Sequence, residues 1–513
     1  MKILKITTLT LLFIFFGSLL VHSLNSINQD IGRHIKSGQI IWETKQVYKT
    51  NLFSFTEPNT PFINHHWLSE VAFYGLNNAI GLKGLILFKA VVILLAMGLL
   101  LTSVYGKTGL WPLAISSLTG FLVFSERTDV RPEIFSYLFL AFFIFAIFKA
   151  KNESKCKYLY FLPLVQLFWT NMHIYFAVGP ILLLFFAIDR FFEKREFFKK
   201  TALIFIATSV ATLLNPNFLN GALAPFNILR HYGYSIVENQ NIFFLRDYGI
   251  SLTAINIFEL SLAVLILSFV IAFRNGRRRI TFELLSAVFF TIMAGQMIRN
   301  FGLYGLTFIP LVALNLSTVS PITTFKVVNP QVINTLPQRH LVSLVGYSVL
   351  SVALVFFIFN VVNNNVYGWL GSSNRFGLSL PAGAEKGVEF VQKNGIKGPV
   401  FNNFDVGSFL IWKLYPEQKV FVDGRPEAYT VDFFEKIYKP MQENPELWEK
   451  YSKEYKINYI FFDYHDITPW AQNFLSRMSK NQDWSMVYFD ESTVIFLKKV
   501  PPNQSLIDKF EIR

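Results

Sequence analysis

The stretch ITTLTLLFIFFGSLLVHSLNSINQDIGRH, residues 6–34, joins an apolar run to a polar segment that contains one acid. Residues 6–23 come close to the roughly 20 apolar residues that a helix needs to cross a bilayer. The residues that follow, Leu24-Asn25-Ser26, do not make a good small-residue cleavage site. We therefore expect this run to remain as the first span, with Asp30 just beyond the membrane.

Further apolar runs follow along the chain. They cover residues 85–104, 109–124, 134–149, 158–172, 174–192, 201–214, 255–273, 281–298, 301–318 and 342–361. Charged residues make up 16% of the chain and hydrophobic residues 52%, whereas soluble chains carry about 25% charge. We predict a polytopic α-helical membrane protein with about 11 spans. The single cysteine, Cys156, excludes a disulfide scaffold and a cysteine-rich metal site.

The basic residues indicate how the chain is oriented, because short loops rich in Lys and Arg stay in the cytoplasm. With a cytoplasmic amino terminus, every basic cluster falls in an inner segment, including 149–157, 190–200 and 274–279. The inner segments hold 18 Lys/Arg and 5 Asp/Glu, a surplus equal to the net charge of +13 for the whole chain. The basic composition therefore indicates orientation and contact with anionic lipid headgroups, not binding of nucleic acid.

The last quarter of the chain has a different pattern, with 17 Lys/Arg and 19 Asp/Glu in residues 381–513. With a cytoplasmic amino terminus, an odd number of spans places this segment on the outer side of the membrane. Short β-type runs alternate with helical patterns there, which is typical of a small α/β domain. The predicted strands are 399–402, 419–422, 457–462, 486–489 and 493–497, and the predicted helices include 384–393 and 445–456. We predict a membrane domain over 1–361, a linker over 362–380 and an extracytoplasmic α/β domain over 381–513.

Ionisable side chains gather in the outer loops. The first outer loop, 24–84, is long, and its segments 30–42 and 66–79 have the pattern of amphipathic helices in the interface. Ionisable groups near lipid are costly and often mark function, although long loops and charges that snorkel to the headgroups explain part of the enrichment. The candidates for a site are Asp30, His34, His65, His66, Glu70, Arg127, Asp129, Arg131, Glu133, His173 and Arg299.

Asp30 has two interpretations. It can cap the helix that follows, or it can act as a general base that activates an acceptor hydroxyl toward a sugar on a lipid phosphate. Such chemistry also needs arginines to hold the departing phosphate, and Arg131 and Arg299 lie on the same side. The chain has no GxxxxGK[ST] or GxGxxG phosphate loop and no HExxH zinc motif. Whether the first outer loop binds a divalent metal stays open.

Several motifs together resemble the GT-C superfamily of polytopic glycosyltransferases, and most closely a little-characterised bacterial family. The motifs are Asp30-Ile31-Gly32-Arg33-His34, Phe53-Ser54-Phe55-Thr56, His66-Trp67-Leu68-Ser69-Glu70, Arg131-Pro132-Glu133, Leu214-Asn215-Pro216, Arg299-Asn300 and Val422-Asp423-Gly424-Arg425-Pro426-Glu427. The resemblance covers nearly the whole chain. It implies sugar donors linked to polyprenyl or dolichyl phosphate. It also implies a catalytic acid in the first outer loop, a place that Asp30 matches, whereas the paired acids of some members are absent.

Together these features predict an inverting glycosyltransferase in a bacterial cytoplasmic membrane. The predicted donor is a polyprenyl-phosphate-linked sugar, and the acceptor is an envelope glycan, lipid or protein. Asp30, His34 and Glu70 form the predicted catalytic set. The predicted substrate-binding residues are His65, His66, Arg127, Asp129, Arg131, Glu133, His173 and Arg299. Three other functions stay open: a polysaccharide polymerase or ligase, a transporter or flippase, and a non-catalytic membrane scaffold.

Overall fold

The computed structural model describes residues 2–24, 30–152, 157–192, 195–227, 231–319, 336–380 and 383–512. Cys156, Arg230 and the predicted inner-loop residue Lys326 lie outside this part of the chain. The helices up to residue 369 are α1 (Lys2–Leu20), α2 (Ile31–Thr44), α3 (Trp67–Val104), α4 (Leu110–Phe124), α5 (Glu133–Asn152), α6 (Leu162–Met172), α7 (Val178–Phe191), α8 (Arg195–Ala211), α9 (Phe218–Asn227), α10 (Ile242–Asp247), α11 (Leu252–Arg274), α12 (Thr281–Gln296), α13 (Phe301–Leu316), α14 (Leu336–Val362) and α15 (Asn365–Trp369).

Within the described ranges, 6 helices are long and apolar enough to cross a membrane. They are α1, α3, α5, α7 with the turn before it, α11 and α14. The remaining predicted spans coincide with the shorter apolar helices α4, α6, α8, α12 and α13. The predicted fold class is confirmed in this respect, whereas the number of spans stays a prediction.

The ends of α5, α7 and α12 that were predicted to lie inside meet in a buried ion cluster. Lys151 Nζ lies 2.6 Å from Glu283 Oε2 and 3.4 Å from Asp189 Oδ1. Arg277 Nη2 lies 3.0 Å from Glu283 Oε1, and Arg190 Nη2 lies 2.7 Å from Asp189 Oδ2. Three predicted inner ends are therefore held together, and the candidate site lies at the opposite ends of the same helices.

The first outer loop begins and ends with the two predicted interfacial helices. The segment 30–42 corresponds to α2, and 66–79 corresponds to the first part of α3. A break at Gly81, with φ 67° and ψ 178°, separates this part of α3 from the apolar part that follows. Glycine tolerates this positive φ because it has no Cβ. The bend allows one helix to run along the interface and then enter the bilayer.

The C-terminal domain is built on a four-stranded sheet with the order β1-β2-β4-β3. β1 pairs with β2 in parallel, and the other two pairs are antiparallel. The strands are β1 (Val400–Asn402), β2 (Tyr459–Asp463), β3 (Trp484–Phe489) and β4 (Thr493–Lys498). The α-helices are α16 (Glu385–Lys393), α17 (Phe404–Leu414), α18 (Lys439–Glu443), α19 (Pro445–Glu454), α20 (Pro469–Met478) and α21 (Gln504–Phe510). A π-helix covers Phe433–Tyr438. This small α/β domain agrees with the predicted fold class.

The predicted strand at 419–422 is wrong, and the reason lies in the first outer loop. Among the described residues Val420 does not join the sheet, and it forms an isolated parallel bridge with Ser54. The Val420 N–H donates to Phe53 O at 3.1 Å, and the Phe55 N–H donates to Val420 O at 3.2 Å. Phe53 and Phe62 also belong to the two apolar cores of the C-terminal domain. The loop and the domain therefore pack as one body.

Candidate functional site

Asp30 lies immediately before α2 and has a φ of 55°. Within the described chain its side chain makes no capping hydrogen bond to that helix, so capping is not its role here. Instead, Asp30 Oδ1 accepts a hydrogen bond of 2.5 Å from Ser408 Oγ in α17. A Cβ on Gly424 would come within 2.7 Å of the same oxygen. The carboxylate is therefore held between α2 and the C-terminal domain.

Two cavities meet at Asp30. The first, called the long cavity here, has a volume of about 710 Å³, and the second, called the polar chamber, has a volume of about 340 Å³. Asp30, Arg131, Glu238 and Gly424 line both of them. Apolar residues also line the long cavity: Leu19 in α1, Leu122 in α4, Ala254 and Ile257 in α11, and Leu370 after α15. The two cavities thus share the carboxylates of Asp30 and Glu238 and the guanidinium group of Arg131.

The structure brings ten of the eleven predicted site residues to these two cavities. Besides the shared Asp30 and Arg131, the long cavity is lined by Arg127 and Asp129, and the polar chamber by His34, His65, His66, Glu133, His173 and Arg299. Asp129 lies in the segment that also carries Arg127 and Arg131. These side chains come from the first outer loop, from the ends of α4 and α5, from the turn before α7 and from the turn after α12.

Glu70 is the exception. In the described part of the chain it lines neither cavity, and its side chain is only 1% exposed. Its Oε1 accepts from His34 Nδ1 at 3.1 Å, and its Oε2 accepts from Asn64 Nδ2 at 2.6 Å. Arg33 Nη1 lies 3.7 Å away from Oε1. Glu70 therefore orients His34 from behind and does not face the space where a substrate could bind.

Three arginines share two glutamates at the junction of the cavities. Arg127 pairs with Glu133 at 2.6 Å and with Glu238 at 2.5 Å, and Arg131 Nη1 lies 2.7 Å from Glu238 Oε2. Arg299 Nη2 lies 3.7 Å from Glu133 Oε1. Burial would raise the pKa of Glu238, but the surrounding arginines hold it well below its ordinary value. The guanidinium groups of these arginines are the kind of donor that binds phosphate oxygens, and the carboxylates of Asp30 and Asp129 line the same junction.

The histidines form a row along the polar chamber. The ring of His66 lies 5.5 Å from that of His34, 5.2 Å from that of His173 and 4.1 Å from that of His65. Burial lowers the pKa of His65 to about 4. Burial and the neighbouring histidines hold the pKa of His66 well below its ordinary value. Near neutral pH the row therefore consists of uncharged imidazoles, which can donate or accept hydrogen bonds to sugar hydroxyl groups.

Some residues at the site were not among the predictions. Ser408 and Gly424 contact Asp30 although they lie far away in the sequence. Gly424 belongs to the motif at 422–427 noted above, whereas no local pattern could have identified Ser408. Lys89 is different, because a charge inside an apolar run is a recognisable signal. Its Nζ lies 3.0 Å from His22 Nε2, which in turn lies 3.1 Å from Thr128 O. This buried group supports the segment that carries Arg127 and Arg131.

The sequence left open whether the site binds a divalent metal. In the described residues, no three His, Cys, Asp or Glu side chains are grouped so that they could hold a metal ion. Asp30 accepts a hydrogen bond from Ser408, and the ring centroids of the other three histidines lie 4.1 to 5.5 Å from that of His66. No step of the proposed reaction involves a metal.

The chain was compared with known proteins. No protein-family model and no curated protein sequence matches it. Solved structures do match, and one is the archaeal oligosaccharyltransferase AglB from Archaeoglobus fulgidus, in complex with an inhibitory peptide and a dolichol-phosphate. The two chains are 12% identical and superpose with a TM-score of 0.58, over 97% of this chain and 75% of the AglB chain. This likeness confirms the predicted fold class: the chain shares the fold of AglB, with many apolar helices and a small C-terminal α/β domain.

Proposed function

We propose that this protein transfers a glycosyl group from a polyprenyl-phosphate donor to an acceptor at the outer face of a bacterial cytoplasmic membrane. The observation that carries the proposal is the junction of the two cavities, where Asp30 and Arg131 line both the polar chamber and a long cavity that the apolar residues of α1, α4 and α11 reach. A lipid-phosphate sugar has the same sequence of parts: an apolar tail, an anionic linker and a polar ring. The AglB fold adds support, since the AglB complex contains a dolichol-phosphate.

Each part of the donor has a matching surface in the proposed complex. The polyprenyl tail lies along the apolar residues of the long cavity, near Leu122 and Ile257. The phosphate lies against Arg131, within the group of three arginines at the junction. The sugar enters the polar chamber, where His66 and His173 present uncharged rings.

The chemical step then follows from the position of Asp30. Its carboxylate takes the proton from an acceptor hydroxyl group, and the acceptor oxygen forms a bond to the anomeric carbon. The bond between this carbon and the phosphate oxygen breaks, and the electron pair leaves with the phosphate. Arg131 and Arg299 stabilise the charge that develops on this leaving group. Attack from the face opposite to the phosphate inverts the anomeric configuration.

The acceptor is an envelope glycan, a lipid or a protein in this proposal. A peptide is bound in the AglB complex, which favours a protein segment as one class to be tested. The acceptor approaches from the C-terminal domain, because Pro426 and Glu427 of that domain line the polar chamber that would hold the sugar.

The test uses the purified chain in liposomes that contain a radiolabelled polyprenyl-phosphate sugar, with envelope extract as the acceptor. We expect label to move to the acceptor and polyprenyl phosphate to accumulate. Asp30→Asn should lower the rate about 10²- to 10⁴-fold, the range expected for loss of a general base. Asp247→Asn is the matched control, because Asp247 is an exposed carboxylate in a predicted outer loop.

Each outcome decides between functions. Full activity of Asp30→Asn would disprove the base assignment. Label that crosses the bilayer while still attached to the lipid would indicate a flippase. Label incorporated into a lengthening glycan would indicate a polymerase, and no movement of label with any donor would leave a scaffold as the better explanation.

A further inference from the structure

Two segments of the C-terminal domain contact the carboxylate of Asp30. Ser408 Oγ in α17 donates a hydrogen bond to Oδ1. Gly424 packs against the same oxygen, and a Cβ at this position would also lie 3.3 Å from Ser408 Oγ. Asp30, Ser408 and Gly424 thus form one compact group, made from the first outer loop and from two separate parts of the C-terminal domain.

Close packing fixes Ser408 in place. The serine is fully buried, and α17 runs against α2 so tightly that a Cβ on Gly32 would come within 2.9 Å of Trp412. On the other side of α17, a Cβ on Gly407 would come within 2.2 Å of Val422 O. The hydroxyl group therefore has little freedom to move away from Asp30.

We propose that Ser408 is a positioning residue for Asp30, which extends the role of the C-terminal domain from choosing the acceptor to preparing the catalytic base. This inference rests on the proposed function. A hydrogen bond to Oδ1 fixes the rotation of the carboxylate and leaves Oδ2 for the acceptor proton.

Ser408→Ala removes the donor and leaves the backbone of α17 unchanged. We expect kcat to fall about tenfold to a hundredfold, as for other residues that orient a catalytic group, while the KM for the donor stays the same. The pH–rate profile should change as well, because the carboxylate that takes the acceptor proton loses its hydrogen bond from Ser408. Ser408→Thr retains a hydroxyl group and should recover part of kcat.

Ser54→Ala is the matched control. Ser54 is also fully buried between the first outer loop and the C-terminal domain, and its Oγ donates to Phe421 O at 3.2 Å. Its loss should leave the pH–rate profile unchanged. Gly424→Ala is a second and independent variant, because its Cβ would push on Asp30 Oδ1 from the other side and should also lower kcat.

The possible outcomes distinguish failure of the positioning role from failure of the proposed function. If the wild-type chain transfers label but Ser408→Ala and Gly424→Ala keep its kcat and pH–rate profile, the positioning role is disproved and the proposed function stands. If Ser54→Ala shifts the profile as much as Ser408→Ala does, the effect is only structural and the inference is overturned. If the wild-type chain transfers no label, the proposed function fails and the positioning role fails with it.

Discussion

Asp30 has a backbone conformation that L-residues rarely adopt, since its φ is 55°. A non-glycine residue in this region costs of order 1 kcal/mol and persists when its surroundings hold it there. Here the surroundings are Ser408, Gly424 and the start of α2. The conformation turns the carboxylate away from the helix end and toward the two cavities, so it favours a role in chemistry over a role in capping.

Substitution of Arg131 tests its proposed role in binding the phosphate. Arg131→Gln should lower kcat/KM about 10²- to 10³-fold, because one preorganised donor to the leaving phosphate is lost. Glu238 keeps its ion pair with Arg127, so the variant should still fold. Transfer rates from the polyprenyl-phosphate sugar measure the effect. Arg246→Gln, at an exposed ion pair with Glu259, should retain wild-type activity, and equal losses in both variants would contradict the role of Arg131.

The buried histidines predict how stability depends on pH. The folded chain holds the pKa of His66 well below its ordinary value, chiefly through burial, whereas the unfolded chain has the ordinary value of about 6.5. Below that pH the unfolded state binds more protons, so stability is complete above about pH 6.5 and falls as the pH decreases. Each such histidine contributes a slope of up to about 1.4 kcal/mol per pH unit.

Thermal unfolding in detergent between about pH 5 and pH 8 measures this slope. His66→Gln should reduce the slope, whatever its effect on the Tm at neutral pH. His231→Gln should leave the slope unchanged, because the His231 side chain is 71% exposed. Identical slopes in the wild type and in His66→Gln would show that burial of the histidine row does not govern the pH dependence.

The bend in α3 depends on a single glycine, and a substitution there tests its contribution to stability. Gly81 has a φ of 67°, and a Cβ there would meet no described atom within 4 Å, so strain in the backbone would be the sole penalty of a side chain. Gly81→Ala should lower the free energy of unfolding by about 1 kcal/mol. Gly98→Ala in the same helix is the control, since its Cβ also has open space in the described structure and its φ is not positive. A thermal unfolding series should show a lower Tm for Gly81→Ala alone.

Elements were predictable where one local pattern determines them. The apolar runs, α2 and the strands β1 to β4 follow from periodicity and length. Val420 shows the limit of such patterns. Its β-branched, apolar neighbourhood favours a strand, but the backbone partner that it finds is Ser54, a residue of the first outer loop. A pairing over such a distance leaves no trace in the local sequence.

At the scale of the whole molecule, the buried pair Asp423–Arg425 joins the C-terminal domain to the first outer loop. Arg425 Nε lies 2.7 Å from Asp423 Oδ1, and Arg425 Nη2 donates to Asn51 Oδ1 at 2.8 Å. The guanidinium group also lies over the rings of Phe53 and Phe62. Both charged side chains are almost completely buried, so removal of one leaves the other uncompensated.

Arg425→Met should therefore lower the free energy of unfolding by about 3–5 kcal/mol, although its side chain is of similar length. The Tm in detergent and protection of the C-terminal domain from limited proteolysis measure the effect. Lys436→Met is the control, because Lys436 forms an exposed ion pair with Asp432 and should change stability by less than about 1 kcal/mol. A stable and protected Arg425→Met variant would contradict the view that this pair holds the two parts together.

The sequence predicted the class of fold and ten residues that line the cavities, because membrane spans and outer loops leave strong signals. It could not predict that Glu70 lies behind His34, or that Ser408 reaches Asp30. The first fact depends on how α2 packs against the start of α3, and the second on how the C-terminal domain docks on the first outer loop. Docking follows from complementary surfaces, which a single sequence does not display.

The contact between Asp30 and Ser408 also has a consequence for biosynthesis of the protein, since the two residues are 378 positions apart in the sequence. At about 5–20 residues per second, a ribosome needs roughly 20 to 75 s to synthesise that length. During this interval the first outer loop has left the translocation machinery while its partners are still unmade. The carboxylate thus acquires its final surroundings only after the segment that carries Ser408 has been synthesised.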